Sequence, residues 1–313
     1  MGAQTQAVEL AHGNIEVQPT AFPLGAEVRC GDVRSLTDAA RKQIKQAWLD
    51  NLVLLVRGQN LSPEELLRFA QTFGEIDKAA PDAEMPAGQK PRFHPNVSVV
   101  SNVVDNGVRL GSLGDGEVVW HTDHSYHEIP ISASVLFALE TPATGGRTGF
   151  LNMYRALETL PSDIRARIQG LRIKNDATYN SAGQIRRGLA PVTDLSQSPG
   201  VLHPAVRTHP ETGYPALYLG RRPHAYVEGL PLAESERLLD FLWTHTKSQP
   251  AWYHQWKPGD VVVWDNRCVM HRREPFDPAA RRIMHRAQCK GTRPYRDDRS
   301  PSTRHPRGAH ESY

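Results

Sequence analysis

The chain has 313 residues, 23% charged and 39% hydrophobic, with a formal net charge of +3. That is an ordinary globular balance, on a length that a β-sandwich or barrel fills as one domain. The small, dispersed positive charge gives no nucleic-acid footprint, and no stretch approaches the ~18 consecutive apolar residues of a membrane span.

Residues 1–14 are small and polar and read as a flexible N-terminal tail. Thr37-Asp38 caps a helix that carries Ile44, Ala47 and Trp48 on one face and ends near Asn51. Leu52-Val53-Leu54-Leu55-Val56, closed by Arg57-Gly58, is an apolar run of the kind that forms a buried strand. Ser62-Pro63-Glu64-Glu65 joins a capping box to a proline at the first helical position. The helix it opens carries Leu66, Leu67, Phe69, Ala70 and Phe73 and stops at Gly74.

Residues 77–96, rich in Pro, Ala and charge, read as a loop, followed by strands over 97–104 and 134–139. Helices are expected at 162–168 and within 231–245. Pro258-Gly259-Asp260 turns the chain into the apolar run Val261-Val262-Val263-Trp264, and 282–288 alternates as a closing strand. The polar stretch 176–200 is a candidate lid or a plain loop. Short strands with helices early and on the flanks point to a β-sandwich or jelly roll over 15–295, with 296–313 a basic flexible tail. Cys30, Cys268 and Cys289 lack paired spacing. Three reduced thiols and a cytoplasmic protein are therefore expected, and no basic-then-apolar leader opens the sequence.

The chemistry gathers around His121-Thr122-Asp123 and His271. Residues i and i+2 of an extended chain share a side, so His121 and Asp123 can reach one metal from a single strand end while Thr122 points away. His271 lies shortly after the apolar run 261–264. Two imidazoles and a carboxylate suit Fe(II) and leave part of the ion open for O2 and an oxidisable partner. With 14 histidines, a His-x-Asp pair also arises by chance, and His124, His127, His203 and His285 read as polar pocket or surface groups. The zinc-hydrolase pattern His-Glu-x-x-His is absent. Arg282, Met284 and Arg286 alternate with Ile283 and His285, so a strand would send both guanidinium groups one way. They would face either solvent or a cavity in which each needs an anion.

Trp120-His121-Thr122-Asp123, Gly145-Gly146-Arg147-Thr148, Trp264-Asp265-Asn266-Arg267, His271 and Arg281-Arg282-Ile283-Met284-His285-Arg286 occur in this order. With them the chain resembles the TauD/TfdA family of Fe(II)- and 2-oxoglutarate-dependent dioxygenases, over roughly residues 18–295. The resemblance implies a mainly β double-stranded β-helix (jelly roll) with flanking helices, and iron on His121, Asp123 and His271. It implies that Arg282 grips the distal carboxylate of 2-oxoglutarate, that Thr148 hydrogen-bonds it, and that Arg286 faces the acidic group of the primary substrate. His124, Tyr126 and the 77–96 loop would shape the remaining pocket. In the taurine-oxidising member a His and a Tyr shortly after a Phe-Gly-Glu turn contact substrate. Here Phe73-Gly74-Glu75 is followed by Ile76-Asp77-Lys78-Ala79-Ala80-Pro81-Asp82, which offers neither, and Glu117 stands where that member has Asn.

The expected reaction is O2- and 2-oxoglutarate-dependent hydroxylation of a small organic acid (sulfonate, alkyl sulfate, aryloxy acid or other carboxylate), releasing succinate and CO2. A C–O or C–S bond breaks when the hydroxylated carbon bears the leaving group. The alternatives are an amino-acid or neutral substrate, with Arg286 structural, and a non-catalytic metal-binding sandwich that leaves Thr148 and Arg282 without a purpose. A small anionic molecule is the expected partner, with no nucleic acid or membrane, and the resemblance favours a homo-oligomer, dimer or tetramer.

Overall fold

The computed structural model describes residues 15–78, 94–186 and 188–297. Its framework follows from the apolar runs. Val53–Val56, Val261–Asp265, Ala133–Glu140 and Ile283–Cys289 lie side by side and antiparallel at the centre of an eight-stranded sheet. Glu16–Pro19 and Ala26–Arg29 extend it on one side, Ser98–Ser101 and Ser112–Leu113 on the other. A four-stranded antiparallel sheet, ordered Trp252–His254, Thr148–Asn152, Val269–Arg273 and Val118–His121, closes the second layer. The fold is mainly β, a double-stranded β-helix or jelly roll with flanking helices.

Val53–Val56 and the runs 135–139 and 261–264 are apolar at every position because both of their faces are covered. Val53, Leu55, Leu136, Ala138, Val262, Trp264 and Met284 join the core between the sheets, with Phe150 from the smaller one. Their neighbours Leu54, Val56, Val135, Phe137, Val261, Val263 and Ala287 point the other way, against Ile44, Trp48, Leu66 and Phe69 of helices Asp38–Asn51 and Pro63–Ala70. Period-two side chains on a sheet covered on both sides give an unbroken hydrophobic run. Both helices start where the capping residues place them. Thr37 accepts from the Ala40 N–H, and Ser62 and Glu65 form the reciprocal capping box.

Met284 packs between the sheets, so its i±2 neighbours Arg282 and Arg286 also point inward, which resolves the choice between solvent and cavity. An extra residue in the Ala133–Glu140 strand, where Ile283 pairs with Glu140 but Met284 with Ala138, leaves the alternation of the arginine strand intact.

Two stretches differ from the sequence reading. The strand expected over 97–104 ends at Ser101, and a hairpin of Val104–Asp105 with Val108–Arg109 follows. Its turn is Asn106-Gly107, both at positive φ (50° and 79°), a hairpin signal that the apolar content of 97–104 obscures. The 176–200 stretch is an excursion between two strands of a separate three-stranded sheet, Gly200–Pro204, Arg172–Asp176 and Tyr226–Val227. Those strands are too polar to stand out by alternation. Near the C-terminus, the Thr208 N–H donates to Tyr295 O and the Asp297 N–H to Thr208 Oγ1, so the body runs to Asp297. The expected tail 1–14, residues 298–313 of the expected tail 296–313, and residues 79–93 of the expected loop lie outside the described residues. No helix among the described residues is long and apolar enough to cross a membrane, and all three cysteines are free.

A buried ion cluster fixes the turn that leads into Val269–Arg273. Arg267 clasps Asp265 with Nε on Oδ1 (2.8 Å) and Nη2 on Oδ2 (2.7 Å), and its Nη1 reaches Glu211. His209 Nε2 lies 3.0 Å from Asp265 Oδ2, while its Nδ1 accepts from the backbone N–H of Glu211 and Thr212. The proton is therefore on Nε2, and burial pushes His209 down to about 4. Asp265→Asn takes from buried Arg267 the carboxylate that holds two of its nitrogens and should cost about 3–5 kcal/mol, read from urea unfolding. Because the folded pKa of His209 lies below the ordinary 6.5, the unfolded chain binds the extra proton between those values. Stability is expected to fall as pH drops from 6.5 toward 4, and His209→Gln should flatten that fall in urea titrations at several pH values.

Candidate active site

A cavity of about 540 Å3 opens between the sheets, lined by His121, Asp123, His271, Thr148, Arg282 and Arg286 among others. His121 Nδ1 lies 2.8 Å from the Val119 carbonyl, so Nδ1 carries the proton and Nε2 presents a lone pair. That Nε2 is 3.3 Å from Asp123 Oδ1, and His271 Nε2 is 3.8 Å from Asp123 Oδ2. One donor atom from each residue falls within 4.8 Å of the others, and all three residues are buried. Burial, reinforced by His121, pushes His271 down to about 3 and keeps it neutral. Burial opposes ionisation of Asp123, but with both imidazoles neutral the positive charge of Arg286 outweighs it and holds the carboxyl well below the usual range. Converging lone pairs and an anion form a set that a divalent cation satisfies. Two imidazoles and one carboxylate fit Fe(II).

Local backbone features aim these groups. His271 pairs with His121 but Arg273 pairs with Val118, so Val118–His121 carries a β-bulge that brings both Val118 and His121 to the cavity. Asp123 lies beyond the strand, in the following turn, instead of sharing one extended segment with His121. Thr122 does point away: its hydroxyl donates to Leu219 O and its N–H to Gly220 O. Gly220 is required there, since a Cβ would meet Asn175 Oδ1 at 1.9 Å. Asn266 accepts from the Asp123 N–H (2.8 Å) and donates to its carbonyl (2.9 Å), and Ser134 donates to Asp123 Oδ2 (3.0 Å). After Asp123 the chain turns sharply at His124, which sits at φ 54°, a conformation uncommon for a side-chain-bearing residue.

Arg282 is 2% exposed, and its Nε and Nη1 have no partner among the described residues. Burial, then the charge of Arg273, pushes it down to about 9. Thr148 Oγ1 accepts from the Trp256 indole N–H (2.9 Å), which leaves the hydroxyl proton free to donate. These groups suit a carboxylate brought in by a ligand.

Elsewhere in the cavity, Arg286 Nη1 is 3.6 Å from Asp123 Oδ1 and its Nε has no partner among the described residues. Tyr126 lies under the Arg186 guanidinium at 3.7 Å, and burial pushes His124 down to about 4. His124 and Tyr126 both line the cavity, as do Gln184 and Ile185 from the 176–200 stretch. Glu117 is not a lining residue; it pairs with Arg272. His203 is buried against the His127 carbonyl, and His285 is buried on the face away from the arginines. A second acid–histidine–thiol group, His209, Asp265 and Cys268, is structural, because Arg267 already holds both Asp265 oxygens.

The model of the taurine catabolism dioxygenase TauD, TfdA family matches residues 16–288. The chain belongs to the TauD/TfdA family. It is an enzyme of the Fe(II)/2-oxoglutarate-dependent dioxygenase class. It is 33% identical over 294 residues to an (S)-phenoxypropionate/alpha-ketoglutarate-dioxygenase of Delftia acidovorans, covering 88% of this chain and 95% of that one. It is 35% identical over 261 residues to an alpha-ketoglutarate-dependent 2,4-dichlorophenoxyacetate dioxygenase of Cupriavidus pinatubonensis, covering 79% and 87%. A crystal structure of a putative alpha-ketoglutarate-dependent taurine dioxygenase from Burkholderia xenovorans superposes with a TM-score of 0.73 at 28% identity, covering 92% and 94%.

Within this TauD/TfdA chain the structure brings every residue expected for metal, co-substrate or substrate to one cavity, leaves Glu117, His127, His203 and His285 outside its lining, and adds some that sequence reasoning missed. Asn266 was within a quoted motif, but its hold on Asp123 depends on a contact across 143 residues. Arg273 and Trp256 had no local signal. Asn266→Ala removes three hydrogen bonds around the Asp123 turn. It is expected to weaken Mn(II) binding by about 10- to 100-fold by calorimetry, with the fold retained by circular dichroism.

Proposed function

We propose that the chain hydroxylates a small organic acid with an apolar body, an aryloxy or related carboxylic acid being the class of first choice. His121, Asp123 and His271 would hold Fe(II), and Arg282 with Thr148 would receive the distal carboxylate of 2-oxoglutarate. Bound iron supplies the activation of O2, coupled to conversion of 2-oxoglutarate to succinate and CO2 and to oxygen insertion into a substrate C–H bond. The protein supplies binding, orientation and exclusion of water.

The observation that carries the substrate reading is the second inward arginine. Arg286 lines the cavity with an unpartnered Nε, beside the carboxylate that faces the metal position. An anionic substrate group on Arg286 would hold its neighbouring carbons close to that position, which is the orientation hydroxylation needs. The same cavity offers apolar surface. Ile185 is 43% exposed and lines it, and the Tyr126 ring is held in place by Arg186. The aryloxy acids named for the two relatives above combine these features, a carboxylate next to an ether carbon and a flat apolar ring. Hydroxylation at that ether carbon gives a hemiacetal-type product that collapses with loss of the phenol. Neither the His nor the Tyr of the taurine-oxidising member is offered after Phe73-Gly74-Glu75, which favours a carboxylic acid over taurine.

Succinate formation measured across aryloxy acids, alkyl sulfates, sulfonates, amino acids and neutral amides tests this. Aryloxy acids are expected to give O2-dependent succinate above the substrate-free level, and stimulation confined to amino acids or amides would overturn the reading. In Arg286→Gln the KM of the acid substrate is expected to rise about 10- to 100-fold with the 2-oxoglutarate KM little changed, and Arg282→Gln should do the reverse.

A further inference from the structure

We propose that Arg273 is a second seat for the distal carboxylate of the 2-oxo acid co-substrate, so that two guanidinium groups and a hydroxyl hold that carboxylate together. This rests on the reading that Arg282 and Thr148 receive it.

Arg273 ends the strand Val269–Arg273 and pairs across the smaller sheet with Thr148. Directly paired residues on neighbouring strands project to the same face, which here is also the face of His271, two residues earlier. Arg273, Thr148, Arg282 and His271 accordingly line one cavity. One end of the Arg273 guanidinium is already engaged: Nη2 donates to the carbonyls of Leu113 (2.9 Å) and Gly116. The Phe276 ring lies 5.3 Å from its carbon and supports the plane. Nε and Nη1 remain buried and unpartnered among the described residues, as do the same two atoms of Arg282.

No carboxylate among the described residues lies within ion-pair distance of either group. Asp115 favours the Arg273 charge only from farther away. Two buried cations side by side without a counter-ion are unfavourable unless a ligand supplies the anion. A carboxylate has about four lone-pair sites on its two oxygens, enough for one fork from each arginine and the Thr148 proton. The backbone contacts of Nη2 hold the guanidinium in place before the ligand arrives, so little freedom is lost on binding.

The seat predicts strong preference for a 2-oxo diacid over a 2-oxo monoacid, and Arg273 contributes only to that difference. The test uses Mn(II)-loaded protein and calorimetric binding of 2-oxoglutarate and of 2-oxobutyrate, which lacks the distal carboxylate. Arg273→Gln is expected to weaken 2-oxoglutarate by about 10- to 100-fold while 2-oxobutyrate stays within about twofold of the parent. Unchanged 2-oxoglutarate affinity overturns the proposal. Equal weakening of both acids also overturns it, since that is what a purely structural role through Leu113 and Gly116 gives. If Arg273→Gln does not fold, Arg273→Lys replaces it: a smaller loss for 2-oxoglutarate alone supports the seat, and parental affinity overturns it. Arg282→Gln runs alongside, and parental 2-oxoglutarate affinity in that variant would overturn the underlying reading itself.

Discussion

The cavity between the sheets carries more positive charge than the protein neutralises. Among the described residues that line it, five are arginine and one, Asp123, is a carboxylate. Arg221 is matched by Asp176, and Arg186 donates to the carbonyls of Ala177 and Tyr179. Arg273, Arg282 and Arg286 are left to share Asp123 and the backbone. Buried cations without a counter-charge are unfavourable, and anionic ligands relieve that cost. The same excess charge helps keep Asp123 ionised, which is what a metal requires. The proposed metal position and the proposed anion positions thus depend on one electrostatic arrangement.

That arrangement survives because the surrounding scaffold cannot relax around it. The strands that carry Arg286 and Ser134 are buried on both faces, packed against the smaller sheet on one side and against two helices on the other. Interiors at this density leave little room for a charged side chain to withdraw. The Asp265–Arg267–His209 cluster does the same for the turn before His271, spending buried charge on geometry.

Much of this was legible in the sequence wherever the cause is local. The two early helices follow from Thr37 and from the Ser62 capping box, and the central strands follow from unbroken apolar runs. The alternation of Arg282, Met284 and Arg286 showed that the arginines share a side, but not which side, because that depends on what Met284 packs against. The polar strands Arg172–Asp176 and Gly200–Pro204 could not be seen, since their pairing is with each other across an excursion of more than twenty residues. Arg273 was invisible for the same kind of reason. Its neighbour in the sequence, Arg272, pairs with Glu117 outside the cavity, and only the register with Thr148 separates the two.

The bulge in Val118–His121 has a further consequence for how this site can vary. Position along that strand, more than side-chain identity, decides which residues reach the cavity. Exchanging Val119 for another exposed residue leaves the count intact, whereas deleting the extra residue removes the local kink and twist of the bulge, although plain alternation still carries His121 inward. His121 would then approach Asp123 and His271 from a changed angle with all of its chemistry unaltered. The strand is permissive toward spelling and intolerant of length, so natural or engineered diversity at this edge should appear as substitutions and not as insertions or deletions.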